Sequence, residues 1–129
     1  MSVYIVRLGS PRLEKEGVRI GTVRRPPRGV PKKELAARNF YDVWLPELAP
    51  SEPLLKLWRA AEDQNQWQRF AKKFRQEIKQ TERQRLIVLL AALSRQTHFS
   101  VGCYCAEESR CHRSILRELL ADAGAEVAI

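Results

Sequence analysis

Thr97-His-Phe-Ser-Val-Gly-Cys-Tyr-Cys-Ala-Glu-Glu-Ser-Arg-Cys-His-Arg-Ser-Ile-Leu-Arg-Glu-Leu-Leu-Ala-Asp-Ala-Gly-Ala-Glu-Val-Ala-Ile129 is the stretch whose reading decides the fold. Thr97–Cys105 is rich in β-branched and aromatic side chains, which predicts a strand. Ser109–Ala123 sets Ile115, Leu116, Leu119 and Leu120 on one helical face, and Gly124 ends the helix as a C-terminal cap. Ala125–Ile129 reads as a final strand. Strand, loop, helix, strand is the pattern of a right-handed parallel crossover.

Working outward, Val3–Arg7 and Val18–Val23 read as strands and Tyr41–Trp44 as a short extended piece. Arg24–Pro31 holds three Pro and three Arg and must be a loop. Lys32–Asn39 predicts a helical turn or two. Ser51 caps a helix with Pro53 in its first turn and Leu54, Leu57 and Trp58 on one face. Gln66–Gln80 carries a Trp67, Phe70, Phe74, Ile78 stripe, read as core rather than as a base-stacking surface. Thr81–Arg95 predicts another helix, capped by Thr81, with Leu86, Leu89, Leu90 and Leu93 inward. The expectation is one α/β domain over residues 1–129, three-layered, with a short mostly parallel sheet flanked by helices.

At 129 residues the chain is long enough to bury its own core. Its 23 Lys and Arg outnumber 15 Asp and Glu, for a net charge of +8. Arg24, Arg25 and Arg28 cluster in one loop, and a guanidinium fork matches phosphate oxygens. An anionic small molecule or a nucleic acid is the partner such charge implies; solubility is the competing explanation. No apolar run approaches the roughly 18 residues of a membrane span. No secretory signal pattern opens the chain, so a cytoplasmic location and no membrane partner are expected. The three Cys fall between positions 103 and 111, which reads as reduced thiols rather than a disulfide scaffold.

The chemistry concentrates in Gly102–Arg113. Ser109 is the expected N-cap, putting Cys111, His112 and Arg113 in the first helical turn, where free amides and the helix dipole attract anions. That setting lowers a thiol's pKa, which makes Cys111 a candidate nucleophile. Cys105, at the strand end, is a second, and the two are spaced for a reversible disulfide. Strand alternation puts Cys103 and Cys105 on one face and Tyr104 on the other, with Cys103 read as core. His112 is a general base, a cap or a solvent-exposed side chain. Arg110 and Arg113 either hold an anion or pair with Glu107 and Glu108. Cys103, Cys105, Cys111 and His112 offer four zinc ligands, but Cys-x-Cys is not the usual Cys-x-x-Cys knuckle, and no metal or other cofactor is assigned.

Cys105-Ala-Glu107 followed by Cys111-His-Arg-Ser114 and an amphipathic helix resembles the family known as domain of unknown function 488. Gly17–Leu35, with its Pro27-Arg-Gly29 loop, Tyr41–Ser51 and the Trp67, Phe70, Phe74, Glu77 helix resemble its short, YeaO-like branch. Many relatives carry Leu-Trp before Pro-Arg-Gly where this chain has Arg25-Pro26-Pro27, and a longer loop between the two cysteines. The resemblance implies a small α/β fold and brings no established reaction.

Two functions fit these residues. One is a thiol-dependent enzyme using Cys105, Cys111 and His112, with Arg24, Arg28, Glu107, Arg110 and Arg113 around a phosphorylated or nucleotide-like substrate. It is not a phosphatase loop, because four residues separate Cys105 from Arg110, one short of that motif. The other is a non-catalytic nucleotide- or nucleic-acid-binding module built on Arg24–Lys33.

Overall fold

The computed structural model describes residues 1–128, the side chain of Thr81 excepted. Strands β1 (Val3–Arg7), β2 (Val18–Gly21), β3 (Val43–Trp44) and β4 (Phe99–Cys103) form a sheet in the order β1-β4-β2-β3, every pair parallel. Helices α1 (Glu52–Ala60), α2 (Gln64–Ile78) and α3 (Thr81–Ser94) connect β3 to β4, and α4 (His112–Asp122) follows β4. The chain is therefore α/β, as its strand and helix patterns predict. Of the expected last strand, Val127 makes one parallel bridge to Val3, and Ile129 lies outside the described residues.

The helices gather on one face of the sheet. Phe70, Phe74 and Ile78 of α2, Ile87 of α3 and Leu116 and Leu120 of α4 meet Val3, Phe99 and Val101 there. The opposite face is covered by irregular chain and a 3-10 turn at Lys32–Glu34, with Val23, Leu35 and Tyr41 against Val6 and Leu8. Those apolar residues make a second, smaller core that ends at Cys103 and Cys111.

Several boundaries move for identifiable reasons. α2 starts at Gln64 because Asp63 and Gln66 form a reciprocal capping box: Gln66 N–H donates to Asp63 Oδ1 at 2.8 Å, and Asp63 N–H to Gln66 Oε1. Ser51 stands at the N-cap of α1, but its hydroxyl caps nothing; its own N–H donates to Glu77 Oε1 at 2.9 Å. Gln80 is the N-cap of α3, and the capping role expected of the Thr81 side chain lies outside the described residues. Leu90 is buried as expected, but Leu89 and Leu93, expected inside, are exposed, and Ile87, Ala91 and Ser94 are buried instead. The run Leu86–Leu93 is apolar all round, so its pattern cannot say which side faces the core.

Two buried features hold the carboxyl edge of the sheet. Arg19, wholly buried on β2, donates to Glu16 and to the carbonyls of Ser10 and Asn39, tying the β1–β2 loop to the β2–β3 loop. Gly21 and Gly102 lie side by side on β2 and β4. A Cβ on Gly102 would stand 2.5 Å from the Val6 carbonyl oxygen, and one on Gly21 would stand 2.4 Å from the Tyr41 ring.

Arg19→Met leaves the Glu16 carboxylate buried without its partner. It is expected to cost about 3–5 kcal/mol, read as a lower urea midpoint at unchanged slope. A loss below about 1 kcal/mol would mean the pair is dispensable. Gly102→Ala forces β1 and β4 apart and is expected to cost about 1–3 kcal/mol in the same measurement; an unchanged midpoint would show that the strands yield freely.

Candidate functional site

The sheet's carboxyl edge opens into a cleft of about 780 Å³. Val23–Arg28, arriving from β2, form one wall, and Glu52, Leu55, Trp58 and Arg59 of α1 form another. Cys103, Tyr104, Cys105 and His112 are also in the lining, brought there from β4 and the start of α4. This is where a parallel sheet ordinarily binds its ligand.

The loop from β4 into α4 departs from the expected path. β4 stops at Cys103, so strand alternation ends there, and Tyr104 faces the same cleft as Cys103 and Cys105 rather than the opposite side. The Tyr104 hydroxyl donates to the Arg25 carbonyl at 2.9 Å, and burial raises its pKa. Ser109 is not the N-cap of α4. It lies in a 3-10 turn, Glu108–Arg110, because Arg117 grips both oxygens of Glu108 (2.5 and 2.8 Å) and draws that turn back onto α4. Cys111, in extended conformation, takes the N-cap position, which leaves His112, Arg113 and Ser114 in the first turn.

Cys111 is fully buried, and its Sγ lies against that of Cys103; their Cα atoms stand 7.9 Å apart, so a direct bond between the sulfurs draws the backbone inward. The sulfur beside Cys111 is that of Cys103 and not, as the spacing suggests, that of Cys105, because β4 ends with Cys103 directly facing the α4 N-cap. Cys111 is fully buried and outside the cleft lining, so its sulfur does not face a cleft ligand. Cys105 is the free thiol, half-buried in the cleft wall. Burial pushes its pKa up; Arg113 and Arg7 pull the other way without reversing the shift.

His112 is neither exposed nor a cap. Its Nε2 lies 2.6 Å from the Thr22 carbonyl oxygen, which can only accept, so Nε2 carries the proton. Nδ1 is left with its lone pair, 3.8 Å from Cys111 Sγ. Burial drives the His112 pKa down to about 4, against the Thr22 hydrogen bond and with help from Arg113 and Arg24, so the ring is neutral at pH 7.

The candidate basic residues divide. Arg24 lines the cleft but is held by the carbonyls of Ala49 (2.9 Å) and Pro50 (3.0 Å), binding the Arg-rich loop to the approach of α1. Arg28 lines the cleft and is exposed. Arg113 is buried close to Cys105, and its Nε has no hydrogen-bond partner. Glu107 is exposed outside the lining, and Arg110 borders a smaller neighbouring hollow with Trp58 and Trp67. Neither pairs with the other: Glu108 takes Arg117, and Arg110 reaches Gln64. Sequence reasoning misses Arg59, Trp58 and Tyr104 as lining residues. Trp58 reads only as part of an apolar face, and no spacing rule places α1 against the β4 loop.

A family model described as "Active DUF488-N3 subclade" matches residues 3–124, nearly the whole chain. The chain belongs to the DUF488-N3 family. No curated protein and no solved structure matches it. The DUF488-N3 match covers all four strands, all four helices and the entire cleft. Among the described residues, no helix of this family member is long and apolar enough to cross a membrane.

A thiol count tests whether the two adjacent sulfurs bond. Under non-reducing conditions the unfolded chain is expected to titrate one thiol, Cys105, and three after reduction. Three thiols without reductant would show that Cys103 and Cys111 are not bonded.

Proposed function

We propose that the cleft binds a phosphorylated, nucleotide-like anion and that Cys105 supplies the thiol that acts on it. One observation carries the reading: Arg24, Arg25, Arg28 and Arg59 line the same cleft as a free, half-buried cysteine. Arg25 is answered by Glu52, at 2.7 Å. Arg28 and Arg59 enter none of the ion pairs among the described residues, so their guanidinium groups are available to an incoming anion. The volume suits a nucleotide, and Trp58 and Tyr104 offer flat faces beside the cations. Arg113, close to Cys105 and with an unpartnered Nε, favours negative charge developing on the sulfur. The family's description as active supports catalysis over passive binding.

ADP is the probe. Calorimetry is expected to give saturable one-to-one binding that inorganic phosphate weakly mimics and adenosine does not. Arg28→Ala and Arg59→Ala should each weaken it about tenfold, the size of one lost charge-assisted hydrogen bond. Bound ADP should also slow alkylation of Cys105 by iodoacetamide. If ADP does not bind, or binds without protecting Cys105, the reading is wrong.

A further inference from the structure

Beneath the cleft, Cys103 Sγ, Cys111 Sγ and a ring nitrogen of His112 lie within 4.8 Å of one another, all three side chains buried. Anion binding and thiol chemistry at Cys105 use neither of these two sulfurs. We infer that, in the dithiol state, these three groups bind one thiophilic divalent cation of the zinc class, with its fourth position turned to the cleft.

Four features of the site support this. The first is the donor set. Two thiolates and an imidazole are soft and borderline ligands that select zinc-like ions over magnesium or calcium, which take oxygens. The second is the span between the two cysteines. Their Cα atoms are 7.9 Å apart, beyond the roughly 4.4–6.8 Å that a direct sulfur–sulfur bond ordinarily bridges. Two metal–sulfur bonds of about 2.3 Å at a tetrahedral angle hold the sulfurs about 3.8 Å apart, and so accommodate a wider backbone separation. The third is the histidine. Its Nε2–H is committed to the Thr22 carbonyl, and Thr22 is itself anchored by its N–H and hydroxyl to the Gly102 carbonyl, both at 3.0 Å. That is the outer hydrogen bond a metal-binding imidazole uses to fix its ring and present the other nitrogen, here Nδ1, on the side of Cys111. The fourth is charge. A doubly charged cation with two thiolates and a neutral imidazole is neutral overall, which a buried site tolerates far better than a lone ion.

Cys103 and His112 line the cleft and Cys111 does not. The ion would therefore sit in the cleft floor, held from behind by Cys111 and open to a ligand in front, the arrangement of three protein ligands and one exchangeable position. Loading it from the paired state takes two steps. A dithiol reductant gives two electrons and two protons to the Cys103–Cys111 bond and is itself oxidised to a disulfide. The cation then forms two metal–sulfur bonds and one metal–nitrogen bond and displaces the two thiol protons into solvent, with no change of oxidation state. Cys-x-Cys spacing argues against a metal because it counts positions along one chain segment. The site joins a strand end to a helix cap, which spacing does not describe.

The test uses full-length protein, reduced with a phosphine and stripped of metal with a chelator. Cobalt(II) titration is expected to saturate at one equivalent, with a thiolate-to-cobalt charge-transfer band and the strong red-region bands of tetrahedral coordination. Zinc should displace the cobalt and bleach both. Cys111→Ser and His112→Gln should weaken binding by about 100-fold or more, whereas Cys105→Ser leaves the spectrum intact. If either ligand variant does not fold, peptide mapping of the wild type decides: zinc should shield Cys103 and Cys111, and not Cys105, from alkylation. An octahedral spectrum without the sulfur band, no binding by the reduced protein, or equal loss in Cys105→Ser would each overturn the assignment. ADP binding is measured separately, so its failure does not touch this result.

Discussion

Strand β4 has neighbours on both edges and packing on both faces, and all five of its residues are buried. Its backbone donors and acceptors are spent on β1 and β2, so its carboxyl end has no freedom to drift. Leu8 N–H closes on the Cys103 carbonyl, and Thr22 closes twice on the Gly102 carbonyl. The Thr22 carbonyl then receives His112, which pins the start of α4 to the end of β2. Four chain segments meet there through buried hydrogen bonds, and the cleft is the space over them. Glycine at 102 is a condition of this arrangement, because β1 and β4 run too close for a side chain at that point.

Part of the positive charge is put to structural use. Arg19 is interior and binds loop carbonyls as well as Glu16. Arg12 holds Asp42 with two hydrogen bonds, and Arg117 holds Glu108 in the same way. For Asp42, burial pushes the carboxyl pKa up, but Arg12 and the Arg19 N–H outweigh it and leave it lowered. Arg24 spends its donors on two carbonyls. Net charge alone overstates the ligand signal, since a guanidinium serves loop carbonyls as readily as phosphate. Of the arginines that line the cleft, Arg28 and Arg59 enter none of the ion pairs among the described residues.

How legible each element is in the sequence depends on how one-sided its pattern is. The stripes of α2 and α4 are separated cleanly from charged residues, and every residue assigned to them, from Trp67 to Leu120, is buried. α3 has no such contrast, and two of its four expected inward leucines face outward. Serine signals a side-chain cap at Ser51 and Ser109 that neither residue provides. In both places a side chain from farther along the chain decides the local geometry, Glu77 at the first and Arg117, through Glu108, at the second. A short-range capping rule sees neither partner.

The sequence by itself determined the α/β class, the buried faces of α2 and α4, and the resemblance that the family match bears out. Each rests on contrast or spacing within a few residues. The tertiary structure decided which thiol is free, which nitrogen of His112 carries its proton, and which arginines face the cleft. Those depend on where a strand end meets a helix cap and on which carbonyl stands opposite a ring. Such distances are set by the register of β4 between β1 and β2, far from the residues concerned along the chain.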